Sequence, residues 1–207
     1  MFAWASVKLN LAERQRRSAH QLRQVGAVVR YDYESGANPV SQPPYPPWLV
    51  EALGRDVLCE VREVSFAFDP MARSIDGQLS LLKAFPGLRK VDLARTPISD
   101  SSLDFLQAAT QLESLAVGET RITDAAMNRI RAFSNLRRLN LSGTTVTDFG
   151  LQALEHLREL RHLNLDNCEN VGDPTMKIAA QLPHLRELRI QRTQVTQIGL
   201  QYLAKAP

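Results

Sequence analysis

The chain has 207 residues, of which 44% are hydrophobic and 23% are charged, and its formal net charge is +3 at pH 7. These values exclude an intrinsically disordered protein, which carries fewer apolar residues, and they are typical of a folded globular chain. Cys59 and Cys168 are its only cysteines, so the sequence excludes a disulfide framework and weakly favours a reducing compartment.

The N-terminal segment joins a short apolar run to a dense group of cations. Residues 1–11 are mostly apolar, and residues 1–30 contain six Lys or Arg residues but a single Glu. Three interpretations fit: the end of a transmembrane helix, a helix on a membrane surface, and a cap helix packed on the next domain. Crossing a bilayer takes about 20 apolar residues, so this run cannot span one by itself. We expect a basic helix over residues 1–25, which contacts a membrane through residues 1–23 if it is the remnant of an anchor.

Residues 26–60 predict a cap and a proline-rich loop. Gly26 ends the helical pattern, and Ala27–Tyr33 alternates as a strand does. Gly36–Pro47 holds five prolines and predicts a loop, whereas Trp48–Leu53 predicts one or two helical turns. We expect the strand and the helix to cover the open edge of the domain that follows.

A pattern of about 24 residues then recurs, written Leu-x-x-Leu-x-Leu-x-x-Thr-x-Ile/Val-Thr-Asp-x-x-Leu. One degenerate copy and five regular ones begin at Val61, Leu88, Leu112, Leu136, Leu160 and Leu185. This leucine pattern and period indicate leucine-rich repeats. We therefore expect an α/β solenoid of about six repeats over residues 61–207, with a parallel sheet on the concave face and short helices on the convex face.

The repeat also predicts which residues face the core and which begin the helices. In the copy that starts at Leu136, Leu139 and Leu141 alternate with polar neighbours and should face inward. Four aspartates directly precede the helical residues of their copies. We expect these to cap their own helices by accepting backbone N–H groups of the first turn, and Thr196 to cap in the last copy. The four are Asp100, Asp124, Asp148 and Asp173.

Nearly the whole chain resembles the leucine-rich-repeat proteins of planctomycete bacteria. In that family a membrane helix, an Arg/Gln-rich helix ending in Gly, a Tyr-Asp-Tyr strand and a Pro-Trp-Leu segment precede the repeats. The matching pieces are Phe2–Leu11, Gln15–Gly26, Tyr31–Tyr33, Pro47–Leu49 and the repeats from Val61 onward. The resemblance implies a membrane-anchored parent whose transmembrane helix is missing here, so the expected location is cytoplasmic or membrane-anchored. The family has no established common activity.

One copy carries a second, narrower resemblance. The copy that contains Cys168 is one residue longer and resembles the cysteine-containing repeats of F-box substrate receptors. That resemblance implies a substrate adaptor, but no F-box-like segment is recognisable at the N-terminus. An F-box-like role is therefore the least favoured of the alternatives.

The sequence shows no motif for catalysis, metal binding or cofactor binding. The four histidines form no His-x-x-x-His pair, the cysteines form no Cys-x-x-Cys pair, and no Gly-rich phosphate loop is present. His162 and Cys168 share a copy, but the register directs one outward and the other inward, which argues against a catalytic pair. We predict a protein that is not an enzyme and takes no cofactor.

The concave face remains as the candidate site. Twelve residues are predicted to line it: Lys90, Asp92, Arg95, Glu119, Arg138, Asn140, His162, Asn164, Asp166, Glu187, Arg189 and Arg192. Their mixed charge suits a protein or peptide ligand better than nucleic acid, which selects a mainly basic surface. We expect a monomeric protein-protein interaction module. The alternatives are a merely solvated sheet face and a membrane-tethered structural or envelope component without a discrete concave-face ligand.

Overall fold

The computed structural model describes residues 2–34, 40, 42–66 and 75–204, with side chains except at residues 2–8, 56 and 76. Strands β1 to β7 span Val28–Tyr31, Val61–Ser65, Lys90–Asp92, Ser114–Ala116, Arg138–Asn140, His162–Asn164 and Glu187–Arg189. Helices α1 to α7 span Phe2–Gln24, Pro47–Leu53, Arg55–Leu58, Asp76–Leu79, Asp124–Ile130, Asp173–Ala179 and Gln197–Leu203. Further 3₁₀ helices span Ser80–Ala84, Asp100–Leu106 and Gly150–His156. The predicted loop over Gly36–Pro47 lies in part outside the described residues.

The strands form one open sheet whose order follows the chain from β1 to β7. β1 pairs with β2 in antiparallel fashion, and every later pair is parallel. Each strand of the repeats pairs with the equivalent residues of the next repeat, so Leu115, Leu139 and Leu163 lie side by side on neighbouring strands. The solenoid that the repeat period predicts is therefore confirmed.

The inward-facing residues of the repeats stack into one continuous core. Leu139 and Leu163 are 2% and 1% exposed, and Leu141 and Leu165 are fully buried. Leu188, in the last copy, packs against the same core but is only half-buried. The predicted alternation is confirmed, and each fully buried leucine stabilises the fold by about 1.5–3 kcal/mol through removal of apolar surface from water.

A left-handed turn follows each of the strands β3 to β7 at the same repeat position. The residues with positive φ, between 56° and 63°, are Arg95, Glu119, Gly143, Asn167 and Arg192. Gly143 and Asn167 are the residue types that adopt this conformation most readily. Arg95, Glu119 and Arg192 keep this left-handed conformation because the threonine that follows each of them anchors the turn. Thr96 and Thr193, for example, each donate a hydroxyl hydrogen bond to the backbone carbonyl three residues earlier.

The N-terminal elements close the first edge of the solenoid. β1 covers the open edge of β2, and α1 packs against β1, α3 and the 3₁₀ helix Ser80–Ala84. Ala19 and Leu22 of α1 are buried in the common core. The described part of α1 thus lies against the first elements of the solenoid. Within the described residues, no helix is both long and apolar enough to cross a membrane.

The prediction that the repeated aspartates cap their own helices is wrong. The helix that begins at Asp124 is capped by Thr123, whose hydroxyl oxygen accepts the backbone N–H of Ala125. The carboxylate of Asp124 instead reaches Thr147 in the next copy. The last copy shows the same arrangement. Thr196 caps α7 as predicted, and the carboxylate of Asp173 in the preceding copy accepts hydrogen bonds from Thr196.

The physical reason is that the residue before three of the four aspartates, Ser99, Thr123 or Gly172, already has the extended backbone of an N-cap. Thr123 has φ −126° and ψ −174°, so its own hydroxyl is aimed at the first helical turn. Asp124 is then the first helical residue, and its side chain points along the stack instead of at its own helix. The aspartates therefore hold neighbouring repeats together.

Candidate interaction surface

The sheet brings the predicted residues onto one face in parallel rows. One row crosses the strands at their first outward position and contains Lys90, Ser114, Arg138, His162 and Glu187. A second row, two residues further along each strand, contains Asp92, Ala116, Asn140, Asn164 and Arg189. Adjacent members of a row are spaced by one strand, about 4.8 Å. The rows form a regular, mostly polar surface.

Several charged side chains on this surface lie close to an oppositely charged group or a histidine of a neighbouring copy. Arg95 pairs with Glu119 at 2.9 Å, and His162 Nδ1 lies 3.0 Å from Glu187 Oε2. Lys90 Nζ lies 3.7 Å from a carboxylate oxygen of β2. Exposed pairs of this kind contribute only about 0–1 kcal/mol each to stability. They cancel part of the local charge, whereas Arg138 in the middle of the first row has no carboxylate partner among the described residues.

Four of the predicted binding residues also hold the backbone in place, and one of them is Asp92, whose Oδ1 accepts the backbone N–H of Ala94 at 3.0 Å. Asp166 is only 8% exposed; its Oδ1 accepts the backbone N–H of Gln191 at 2.7 Å, and its Oδ2 pairs with Arg189 Nε at 3.2 Å. Asn140 and Asn164 each accept the backbone N–H two residues later, at 3.0 Å and 2.9 Å. Asp166 is therefore mainly structural, while the two asparagines remain half-exposed on the concave face.

Sequence reasoning missed a row of arginines at the start of the strands. The second position of the six copies is occupied by Arg62, Arg89, Glu113, Arg137, Arg161 and Arg186. Backbone hydrogen bonds tie this row together, since Arg161 N donates to Arg137 O and Arg186 N donates to Arg161 O, both at 2.8 Å. The alternation rule omits this position because, in the five regular copies, it lies just before the strand. The signal was nevertheless present, since five of six copies carry Arg there.

The arginine row borders a depression of about 290 Å³ at the N-terminal ends of the strands. Four residues of the arginine row and four of the first outward row line it: Glu113, Arg137, Arg161 and Arg186, with Lys90, Ser114, Arg138 and His162. We call this depression the basic pocket. A second depression of about 230 Å³ lies over the middle strands and shares Ser114, Arg138 and His162 with the first. The two form one continuous concave surface.

A larger depression, of about 640 Å³, lies at the N-terminal cap. Its lining includes Arg16, Arg17, His20, Arg23 and Arg55. The guanidinium groups of Arg23 and Arg55 lie 5.5 Å and 5.3 Å from the ring centre of a tyrosine in β1, so these cations also pack the cap. This part of the cap is therefore basic and partly occupied by structural contacts.

The described residues offer little for redox or metal chemistry. Among them, no group of three His, Cys, Asp or Glu side chains is arranged to hold a metal ion. Both cysteines are buried and neither forms a disulfide, and burial raises the pKa of the Cys168 thiol. His162 lies on the concave face while Cys168 lies in the core, as the register predicts.

Comparisons with known proteins agree with this architecture. Two family models for leucine-rich repeats match the chain, over residues 110–169 and 181–204. A search of curated proteins finds no match. The solved structure of internalin C2 from Listeria monocytogenes is 22% identical, with a TM-score of 0.55, over 69% of this chain and 56% of its own length. An internalin from the same organism is 20% identical, with a TM-score of 0.48, over 70% of this chain and 45% of its own length.

The chain thus spans about half the length of these two bacterial structures. The narrower resemblances, to planctomycete proteins and to F-box receptors, stay predictions. Repeats of this kind generally mediate protein-protein interactions and are typically non-enzymatic. The strand register, the buried leucine rows and the family matches together show that the chain folds as a leucine-rich-repeat solenoid.

Proposed function

We propose that this chain is a non-catalytic interaction module that binds a protein or peptide across its concave face. The observation that carries the proposal is the unbroken register of the two outward rows over β3 to β7. A parallel sheet fixed by its core presents these side chains at regular spacing, so little conformational entropy is lost on binding. The twelve predicted residues, apart from the buried Asp166, are the proposed contact set.

The shape of the surface favours an extended ligand. The depressions over the strands are shallow and continuous, and the small side chain of Ala116 leaves room in the second row between Asp92 and Asn140. No aromatic side chain occurs among the predicted contact residues, so a large hydrophobic anchor on this chain is not expected. A peptide or a protruding loop held by polar contacts fits these features.

The test is a pull-down from native lysate with wild type and Ala116→Arg. This change adds a long side chain to β4 on the concave face, and the methyl group that it replaces makes no hydrogen bond. The control is Ala132→Arg, because Ala132 is exposed just after the helix of the same copy. We expect Ala116→Arg to lose a partner that the control retains. Equal recovery of every partner by both variants would contradict the proposal, provided that circular dichroism shows all three proteins folded.

A second candidate function is membrane tethering through the N-terminal cap. The basic lining of the cap depression supports it, because clustered Arg side chains attract anionic lipid surfaces. Sedimentation with vesicles of anionic phospholipid tests this candidate directly. Binding that is lost in an Arg16→Gln/Arg17→Gln variant and kept in the concave-face variant Ala116→Arg would support tethering, whereas absence of binding by wild type would rule it out.

A further inference from the structure

We propose that the basic pocket holds acidic side chains of the bound peptide and so anchors one end of it at the N-terminal edge of the sheet. This inference rests on the proposed function, since it assumes a peptide on the concave face. It adds the class of ligand residue, aspartate or glutamate, and the place where that residue is held.

Several cations near the pocket already have a carboxylate partner. Arg89 Nη1 lies 2.7 Å from Glu113 Oε1, Arg137 Nη1 lies 3.6 Å from Glu113 Oε2, and Lys90 pairs with Glu63. Glu113 is thus shared between its two neighbours in the arginine row. These pairs reduce the positive charge available at the β3 end of the pocket.

The other end of the pocket is different. Within the part of the chain that the structure describes, Arg138, Arg161 and Arg186 have no carboxylate within 4.0 Å. All three line the same depression. Three uncompensated guanidinium groups on adjacent strands repel one another, and an anion bound between them would relieve that repulsion. An acidic ligand residue therefore has a defined place next to strands β5 to β7.

Arg161 supplies the second observation. Its Nε atom is buried and has no hydrogen-bond partner among the described residues. A buried donor on a charged group is unfavourable when it has no acceptor, because burial removes the water that would otherwise satisfy it. A carboxylate in the pocket that Arg161 lines can bind this guanidinium, and the side chain has to turn toward the pocket for Nε itself to gain the acceptor.

The geometry suits a carboxylate on a peptide. A guanidinium presents paired N–H groups that match the two oxygens of a carboxylate, and the backbone ladder fixes where each arginine begins. A depression of about 290 Å³ admits one or two acidic side chains but no folded domain. The adjoining surface over β4 to β7 carries Glu187 and half-exposed asparagines, which suit a peptide continuing across the sheet better than a polyphosphate chain.

The test uses fluorescein-labelled octaglutamate as the probe, with binding followed by fluorescence anisotropy at low salt. The pocket variant is Arg161→Gln/Arg186→Gln. The control is Arg131→Gln/Arg158→Gln, which removes the same charge from exposed residues that follow helices on the other side of the solenoid. Thermal melts by circular dichroism verify that both double variants are folded.

We expect wild type to bind octaglutamate, the pocket variant to bind it about tenfold more weakly or worse, and the control to change it less than about twofold. Labelled octaglutamine should not bind. Equal weakening in both double variants would show that only the overall charge attracts the probe, and absence of binding by wild type would also overturn the proposal.

The two proposals fail separately. If octaglutamate does not bind while Ala116→Arg still releases a partner in the pull-down, the acidic anchor is wrong and the concave-face function stands. If Ala116→Arg releases nothing while the pocket variant loses octaglutamate, the pocket binds acidic chains but not as part of a concave-face interaction. The second result would overturn the inference as stated, because it ties the pocket to that interaction.

Discussion

The carboxylate of Asp124 accepts two hydrogen bonds from Thr147 in the next repeat, one from the backbone N–H and one from the hydroxyl, both at 2.7 Å. Asp100 and Thr123 make the same pair of bonds one copy earlier, at 2.8 Å and 2.7 Å. Each threonine is held by the preceding copy through its N–H and hydroxyl hydrogen, while its hydroxyl oxygen remains available to cap its own helix. This chain of contacts couples neighbouring repeats on the helical side of the solenoid.

Asp124→Ala should therefore destabilise the protein by about 2 kcal/mol, because two hydrogen bonds to a charged acceptor are lost and the half-buried N–H of Thr147 is left without a partner. Urea unfolding followed by circular dichroism measures the change. The control is Glu155→Ala, since Glu155 is an exposed acidic residue for which no ion pair is seen among the described residues. Equal midpoints for the two variants would mean that the aspartate contributes nothing beyond its charge.

The same contact limits which residue can stand at position 150. A Cβ added to Gly150 would lie 2.2 Å from Asp124 Oδ1, a distance that no real contact permits. Gly150→Ala should cost about 1–3 kcal/mol through this overlap, even though alanine is the better helix former.

Gly77 provides a matched control, because a Cβ there meets nothing within 4 Å. Gly77→Ala in α4 should be neutral or slightly stabilising. A stability loss at Gly77 as large as that at Gly150 would argue against a specific clash with Asp124.

The pKa of Asp173 lies below its ordinary value, first because it accepts the backbone N–H of Thr196 and second because it accepts the Thr196 hydroxyl. A carboxyl group with a lowered folded-state pKa stabilises the fold above its unfolded pKa, and that contribution is lost as the pH falls through the folded pKa. Thr196→Val should raise the pKa of Asp173 toward the ordinary value, as measured by carbon-detected NMR titration. An unchanged pKa in the variant would show that the hydroxyl bond has no influence.

The two thiols should be unreactive while the protein is folded. Cys59 and Cys168 are 2% and 0% exposed, and burial raises the pKa of the Cys168 thiol, which lowers its thiolate fraction at neutral pH. We expect Ellman's reagent to modify neither thiol in native buffer over minutes and both at once in denaturant. Stoichiometric modification of the native protein would contradict the buried positions of both residues.

The leucine spacing was sufficient to predict the fold because a repeat has only one way to bury its apolar row. The inward positions of Leu139 and Leu163 follow from a period of two, and the parallel order of the strands follows from a repeat of 24 residues. The role of Asp124 could not be predicted in this way. An aspartate beside a helix start satisfies the local capping rule, and only the stacked repeats show that Thr123 already fills that role.

The candidate site was only partly predictable for a related reason. Alternation along a strand places Arg138 and Asn140 outward, but it says nothing about Arg161, which precedes its strand and borders the basic pocket. Burial of Asp166 likewise depends on Arg189 and Gln191 in the next copy. Such contacts join residues about 25 positions apart, beyond the reach of any local pattern.

The most direct test of the proposed function is site-specific photo-crosslinking in native lysate. A benzophenone amino acid at position 140, on the concave face, should give a discrete crosslinked product, whereas the same amino acid at position 155, on the helical side, should give none. A product formed only from position 155, or equally from both positions, would contradict a concave-face interaction module.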